Sequence, residues 1–460
     1  MRDNRKNLVL SLANTINVVL VTIPFIYCWY GFYASHIVKP YYRRGNWAVI
    51  LVFIVLYILF ARVYDGFSIS TNRISESVYS QGLAALFADA VMYIVIFLLA
   101  QRAPNPLPLL GALLMQLVLT GLGTVLSHKW YFATFRPNKT VIVCDTPSGM
   151  EKTIDKYGMQ KEFRVCRTVG IDECLEDLSM LDGIETVFVS GVHSHERNIL
   201  LKYCVEHGIE MYVIPQVGDL VMSGAKRMHM FHLPILKAGR YDPSLYYVLL
   251  KRVMDIVLSF VAVVITSPLF LLSAIAIKAY DGGPVFYKQR RLTKNGKVFS
   301  IVKFRSMRVD AESDGVARLS TGDRDERITP VGRVLRKVRL DELPQLFCIL
   351  AGDMSICGPR PERPEIAAQI EKTLPEFRLR LQTKAGLTGY AQVYGKYNTS
   401  PYDKLLMDLM YIANPSFLED MRIIFATVKI LFQPESTEGV ILEEDTEEER
   451  ETVGAHGAGR

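Results

Sequence analysis

Paired cysteines are missing from this 460-residue chain. Its seven cysteines are odd in number, and none belongs to a Cys-x-x-Cys motif. Disulfide frameworks and structural zinc sites use such pairs or regularly spaced sets, so neither is expected here. We interpret the cysteines as small buried apolar residues in a reducing compartment.

A nucleic-acid-binding pattern is missing as well. The chain has 53 Lys and Arg against 47 Asp and Glu, a net charge of +6. No predicted helix or strand interleaves basic with aromatic residues in the manner of nucleic-acid modules. We therefore expect no nucleic-acid partner, and the basic excess favours an anionic lipid surface or phosphorylated substrates.

The glycine fingerprint of dinucleotide-binding domains is also missing. Residues 139–240 alternate β-rich runs, at 140–144, 186–190 and 210–214, with polar helical stretches. This alternation predicts a small parallel α/β domain of Rossmann-like type. The first turn reads Asp145-Thr-Pro-Ser-Gly149 and not Gly-x-Gly-x-x-Gly, which favours a structural or regulatory role over dinucleotide binding.

Long apolar runs are abundant. Four of them, at 15–37, 47–64, 83–100 and 107–127, are each near the length that a helix needs to cross a bilayer. They predict a four-helix transmembrane domain over residues 1–138. Lys and Arg near the helix ends are more frequent on the side that holds the N-terminus, which favours cytoplasmic termini.

A fifth apolar run, 256–277, has basic residues on both flanks, so neither end prefers the outer side. Its centre carries Ser267 and Pro268, and a proline removes a helix hydrogen bond and favours a bend. We predict a helix-break-helix, residues 252–279, that dips into one leaflet and returns. A kinked helix that spans the membrane stays the alternative.

Residues 246–434 form the predicted catalytic domain, in which Asp341 and Glu342 stand together in Arg339-Leu-Asp-Glu-Leu-Pro344. A carboxylate can attack phosphorus directly, and a neighbouring carboxylate can hold Mg²⁺. The alternative is an ordinary salt-bridged helix end. Basic residues suited to phosphate binding surround the pair in sequence: Lys303, Arg305, Arg336 and Arg360.

Two glycine-containing loops follow the carboxylate pair. In Gly358-Pro-Arg-Pro361 the prolines stiffen the loop that presents Arg360. The loop that begins Gly386-Leu-Thr-Gly389 is a weaker signal for approach to a nucleotide or sugar. Beyond it, residues 435–460 are acidic and lack aromatics, which predicts a solvated, disordered tail.

These blocks together resemble the polyprenyl-phosphate hexose-1-phosphate transferases, the bacterial sugar transferase family, in the long form with four N-terminal transmembrane helices. The resemblance covers about residues 246 to 432. Ala385 departs from the family pattern, which usually has proline before the glycine. The blocks that carry the resemblance are Lys251-Arg252-x-x-Asp255, Ser267-Pro268, Pro284-Val-Phe-Tyr-Lys-Gln289, Lys303-Phe-Arg-Ser-Met307, Leu340-Asp-Glu-Leu-Pro-Gln-Leu346, Gly352-Asp-Met-Ser355, Gly358-Pro-Arg-Pro361 and Gly386-Leu-Thr-Gly389.

The resemblance implies a fold with three parts: a membrane α-helical bundle, a small Rossmann-like α/β domain, and a mostly α-helical monotopic catalytic domain with a re-entrant membrane helix. It implies a phosphotransferase that moves hexose 1-phosphate from a UDP-sugar to undecaprenyl phosphate and releases UMP. This would be the first membrane step of exopolysaccharide, capsule or O-antigen biosynthesis. The protein would lie in the bacterial inner (cytoplasmic) membrane, with its catalytic domain on the cytoplasmic side.

The resemblance also implies residue roles. Asp341 would be the nucleophile that forms a phosphosugar-aspartyl intermediate, and Glu342 would help to bind Mg²⁺. Arg336 and Arg360 would hold phosphate groups. Ser267 and Pro268 would form the break of the re-entrant helix, anchored at the interface by Lys251, Arg252 and Asp255.

Two other functions stay open at this point. A membrane scaffold or sensor would use the basic face to bind anionic lipid without catalysis. A processive glycosyltransferase would transfer a bare sugar and release UDP. The identity of the sugar and the oligomeric state, a homo-oligomer included, are not readable from these residues.

Overall fold

The chain divides into two compact units, Met1–Ile214 and Pro215–Arg460. The computed structural model describes residues 2–42, 44–145, 149–311, 325, 327–395 and 399–431. The predicted acidic tail, 435–460, lies outside the described residues. The division falls within residues 139–240, and the predicted domain bounds stay a prediction.

Four long helices open the first unit: α1 (Arg2–Cys28), α2 (Arg44–Val63), α3 (Ile74–Ala100) and α4 (Leu107–Thr134). A π-helical turn, Trp29–Tyr33, extends α1. Each helix is long and apolar enough to cross a bilayer, which confirms the four predicted apolar helices.

Helix α3 begins nine residues before the apolar run that predicted it, at Ile74 instead of residue 83. Its first turns are polar but face the helix bundle, where Ser77, Ser80 and Gln81 are fully buried. Hydropathy alone underestimates such a helix because it cannot tell polar residues inside a bundle from polar residues in a loop.

A four-stranded parallel sheet completes the first unit, in the order β2-β1-β3-β4. The strands are β1 (Asn138–Cys144), β2 (Phe163–Gly170), β3 (Thr186–Ser190) and β4 (Glu210–Val213), with helices α5 (Met150–Lys156), α6 (Ile171–Glu176) and α7 (Ser194–His207) between them. The predicted parallel α/β region is therefore confirmed. The sequence missed β2, an edge strand whose exposed Arg164 and Arg167 interrupt its apolar pattern.

The second unit is mostly helical. It begins with α8 (Val217–Ser223) and a hairpin of β5 (Lys226–Met230) and β6 (Leu233–Lys237). The remaining elements are α9 (Leu245–Asp281), β7 (Phe286–Leu292), β8 (Val298–Phe304), α10 (Pro330–Lys337), α11 (Gln345–Ala351), β9 (Ser355–Cys357), α12 (Pro364–Thr373), β10 (Gly386–Thr388), α13 (Tyr390–Val393), α14 (Pro401–Ala413) and α15 (Phe417–Leu431). Strands β7 and β8 form an antiparallel hairpin, and β9 pairs in parallel with β10.

Helix α9 is hydrogen-bonded over 37 residues and continues through Ser267 and Pro268, and the re-entrant break predicted there stays a prediction. Pro268 has no N–H for the carbonyl of Val264, four residues earlier. The Ser267 hydroxyl donates to that carbonyl at 2.8 Å. The hydrogen bond that proline removes is thus replaced locally, and the helix stays continuous.

Helix α9 is buried toward its two ends and exposed between them. The buried residues include Asp255 and Ser259 near one end and Ile277 near the other. No side chain of residues 260–272 is buried, and apolar side chains there are exposed, such as Ile265 at 71% and Leu272 at 63%. The helix is the fifth that is long and apolar enough to cross a membrane.

Candidate active site

The carboxylate pair lies in a tight turn between two helices. Asp341 and Glu342 end a short 3₁₀ turn that starts at Leu340, after α10 and before α11. Arg339 enters this turn with a φ of 52°, a left-handed conformation that is uncommon for a residue with a side chain. The pair is therefore fixed on a sharp corner of the backbone and not along a regular helix.

Two basic residues converge on Glu342. Lys303, on β8, donates to Glu342 Oε1 at 2.8 Å, and Arg360 Nη2 lies 3.5 Å from the same oxygen. The structure thus brings together three of the predicted site positions, which are far apart in the sequence. Asp341 lies beside this ion pair and is 8% exposed.

The two carboxylates have pKa values shifted in opposite directions. Burial raises the pKa of Asp341, and the nearby charge of Glu342 adds to this, although Lys303 opposes it. Burial would also raise the pKa of Glu342, but Lys303 and Arg360 outweigh it and hold that pKa well below the usual range. Neighbouring groups with divergent pKa values are typical of catalytic sites.

Arg336, in the last turn of α10, is the next predicted phosphate ligand. Its positive charge acts on Asp341, which places it near the pair. Its Nη1 atom is buried and has no hydrogen-bond partner among the described residues. A buried N–H without an acceptor is costly, so this atom is suited to a phosphate oxygen supplied by a substrate.

Arg305 is placed differently from the prediction. Its side chain is 7% exposed and ion-pairs with Asp281, at the end of α9. Gly283 packs directly on the guanidinium of Arg305. A side chain at position 283 would therefore collide with Arg305. In this arrangement Arg305 fastens the end of α9 to the end of β8, and the structure does not bring it to the carboxylate pair.

The two glycine loops pack against each other through their backbones. Gly358 donates to the carbonyl of Thr388 at 2.9 Å, and Gly386 donates to that of Pro359 at 2.9 Å. A Cβ on Gly358 would lie 2.4 Å from the Lys384 carbonyl oxygen. These glycines are therefore needed for close backbone packing that supports the Arg360 loop.

Arg380 is a supporting residue that the sequence analysis missed. It is 3% exposed and donates to the backbone carbonyl of Arg360 at 2.9 Å. The same guanidinium pairs with Asp408 at 2.7 Å and lies 3.5 Å from Glu362. It thus ties the Arg360 loop to helix α14, and no motif around Arg380 signals this role.

The predicted anchor residues of α9 are inside the protein. Lys251 pairs with Asp420 at 3.0 Å, and Asp255 accepts from the backbone N–H of Ile356 at 2.9 Å. A third, Arg252, donates to the backbone carbonyls of Ile349 and Leu350, at 2.7 and 2.8 Å. These carbonyls belong to the C-terminal turn of α11, where a cation is favourable.

Comparison with known proteins matches residues 246–434 to the family described as bacterial sugar transferase. An exopolysaccharide production protein of Rhizobium leguminosarum bv. phaseoli is 41% identical over 190 residues, which cover 39% of this chain and 93% of that protein. The chain belongs to the bacterial sugar transferase family. Every predicted site residue of this sugar transferase lies within the matched segment.

Two further relatives extend the comparison. A UDP-glucose:undecaprenyl-phosphate glucose-1-phosphate transferase of Caulobacter vibrioides is 37% identical over 201 residues, 43% of this chain and 74% of that one. A UDP-N-acetylgalactosamine-undecaprenyl-phosphate N-acetylgalactosaminephosphotransferase of Aeromonas hydrophila is 37% identical over 234 residues, 50% of this chain and 54% of that one. The sugar transferase spans about half the length of the longer relatives it matches, such as the Aeromonas protein. With its apolar helices, it is a membrane protein.

Proposed function

We propose that this sugar transferase moves hexose 1-phosphate from a UDP-sugar to polyprenyl phosphate and releases UMP. The observation that supports this proposal most directly is that basic side chains pair with one of the two adjacent carboxylates, Glu342, and leave the other, Asp341. Lys303 and Arg360 both engage Glu342, which leaves Asp341 as the carboxylate with an oxygen available to attack phosphorus.

The reaction proceeds in two displacements. First, a carboxylate oxygen of Asp341 attacks the β-phosphorus of the UDP-sugar. The bond from that phosphorus to the bridging oxygen breaks, and UMP leaves with the electron pair. Then a phosphate oxygen of polyprenyl phosphate attacks the same phosphorus, which breaks the acyl-phosphate bond and regenerates the Asp341 carboxylate. The product is a polyprenyl diphosphate sugar.

The basic residues stabilise charge on the transferred group. Arg336 offers its buried, unpartnered Nη1 to a phosphate oxygen. Arg360, with a side chain 49% exposed, reaches incoming phosphate from the second side, and Lys303 keeps Glu342 ionised. Arg305 contributes indirectly, through the position of β8.

Mg²⁺ fits the donor set. In phosphoryl-transfer sites this ion uses one or two protein carboxylates together with substrate phosphates. Asp341 and Glu342 meet that need, although no group of three or more acidic, His or Cys ligands occurs among the described residues. Glu342 would hold the ion, which when bound neutralises charge on the diphosphate.

We also propose that α9 re-enters the membrane face from which it came. Arg252 and Phe270 both contact α11, the first through carbonyl hydrogen bonds and the second through a ring pair with Phe347 at 5.6 Å. These positions flank most of the apolar run, yet both meet one helix of seven residues. These two contacts favour a re-entrant path. In a helix that crosses the whole membrane, the two positions would lie near opposite sides.

The proposal also includes the place of the reaction and the fold class of the α/β region. A soluble UDP-sugar and a lipid phosphate meet at the cytoplasmic face of a bacterial inner membrane, which suits the first membrane step of exopolysaccharide, capsule or O-antigen synthesis. The strand order β2-β1-β3-β4 is a doubly wound order of the 2-1-3-4-5 type, a class related to the Rossmann-like domains in which the classic order is 3-2-1-4-5-6.

The test is nucleotide release from a panel of UDP-sugars in membranes that contain polyprenyl phosphate and Mg²⁺. We expect UMP from the native chain and none from Asp341→Asn. Release of UDP would identify a glycosyltransferase instead. No release with any UDP-sugar would favour a lipid-binding scaffold or sensor, and an undiminished rate in Asp341→Asn would refute the aspartyl mechanism.

A further inference from the structure

A buried carboxylate in the first unit has no part in the proposed reaction. Asp89, on α3, is 3% exposed. It is the sole Asp, Glu, Lys or Arg within the apolar stretches 7–28, 45–61, 77–100 and 107–127. An ionised carboxylate at such a depth, without a counter-charge, costs several kcal/mol.

The surroundings of Asp89 offer a carboxamide and no cation. Gln116, on α4, is fully buried and faces Asp89. The thiol of Cys28, on α1, and the phenol of Tyr33, in the π-helical turn that extends α1, lie within electrostatic range of Asp89. Residues 45–61 of α2 carry no charged side chain at all. No described positive charge therefore compensates Asp89.

Some polar groups of the bundle have hydrogen-bond partners, whereas this pair, like buried hydroxyls such as Ser80 on α3 and Thr120 on α4, has none among the described residues; Asp89 alone among them is a carboxyl group. In the π-helical turn beside Cys28, Trp29 donates to Asn46 at 3.1 Å and Tyr33 donates to the Asn105 carbonyl at 2.6 Å. Both carboxyl oxygens of Asp89, and the amide oxygen and nitrogen of Gln116, are buried and form no hydrogen bond of good geometry with the described residues, although the Gln116 side chain lies within hydrogen-bonding range of Asp89. Such π turns are frequent at functional sites.

A count of the donors and acceptors of the two side chains favours one protonation state of Asp89. An ionised Asp89 and Gln116 present three acceptor oxygens and one donor group, so the Gln116 Oε1 atom stays without a donor. A protonated Asp89 supplies an O–H for that oxygen, while Gln116 Nε2 donates to the other carboxyl oxygen. Each side chain then gives and receives one hydrogen bond across the α3–α4 interface.

We propose that Asp89 is a proton-binding site inside the membrane bundle, where its neutral carboxyl forms a reciprocal pair of hydrogen bonds with Gln116. The site joins α3 to α4 and makes the assembly of the bundle depend on one proton. It is independent of the reaction at Asp341.

The test is infrared difference spectroscopy of the full chain in lipid nanodiscs at neutral pH, native minus Asp89→Asn. We expect the C=O stretch of a neutral carboxylic acid, shifted in Gln116→Leu. Bands of an ionised carboxylate alone, or a band that responds to Na⁺ in place of H⁺, would overturn the proposal. A neutral-acid band that is unchanged in Gln116→Leu would also overturn it.

Thermal unfolding gives a second readout, because Asp89→Asn keeps the shape and a donor. The native chain should lose stability once the pH is high enough to remove the proton, since the folded state then holds an unpaired charge. Asp89→Asn should lack this loss. An identical alkaline profile in both chains would contradict the assignment.

Discussion

Two clusters of buried charge in the second unit differ in how completely their groups are paired. Around Asp420, the carboxylate receives Lys251 at 3.0 Å, Tyr247 at 2.8 Å and Tyr411 at 2.7 Å. Around the carboxylate pair, Lys303 and Arg360 meet at one oxygen of Glu342. The first cluster is complete without a ligand.

The difference distinguishes structural from functional charge. The Asp420 cluster, which we call the matched cluster, joins α9 to α14 and α15, and its charges are paired within the protein. In the cluster around Asp341 and Glu342, which we call the unmatched cluster, Arg336 Nη1 has no partner among the described residues, and burial raises the pKa of Asp341. Such an arrangement leaves charge to be balanced by a bound substrate. The predictions below test this contrast.

The largest expected effect is on stability, in the matched cluster. Asp420→Ala leaves Lys251 buried without a counter-charge and should lower the free energy of unfolding by about 3–5 kcal/mol. Chemical denaturation of the detergent-solubilised chain measures this. Glu376→Ala, at an exposed position, is the control and should change little. A similar small loss for both variants would mean that the Asp420 network is not structural.

The next effect is on substrate affinity, in the unmatched cluster. Arg336→Lys removes the planar fork that suits phosphate oxygens and should raise the KM for the UDP-sugar about tenfold, roughly 1.4 kcal/mol, with little change in stability. The matched control is Arg333→Lys on the same helix, where the side chain is exposed. Equal KM values for the two variants would remove Arg336 from the site.

The smallest effect is on pH dependence. Asp341 must be ionised to attack, and its pKa is raised mainly by burial and lowered by Lys303. Activity should therefore fall on the acid side at a higher pH than an ordinary Asp would give. Lys303→Met removes the opposing charge, so it should move this acid limb to still higher pH in a kcat/KM profile. A shift to lower pH would contradict the assignment.

The sequence was most informative where a local pattern decides the outcome. Apolar runs located the membrane-length helices, and β-rich runs located β1, β3 and β4. The adjacent acidic residues Asp341 and Glu342 marked the site because they stand among basic residues in one short segment. Each signal is contained in a few consecutive residues.

Tertiary partners explain what the sequence did not predict. Nothing near Arg305 indicates that Asp281 will take its charge, and nothing near Arg380 indicates that it will hold the Arg360 loop. Such outcomes depend on geometry that develops only when distant segments meet.

The hydrogen bonds of Arg252 have a mechanical consequence. They attach α9 to the C-terminal end of α11, and the turn that holds Asp341 and Glu342 lies directly before the N-terminal end of α11. A seven-residue helix is about 10 Å long. On the proposed re-entrant path, helix α11 is a spacer of fixed length, so the depth of α9 among the lipids would set the height of Asp341 above the plane of the lipid phosphates.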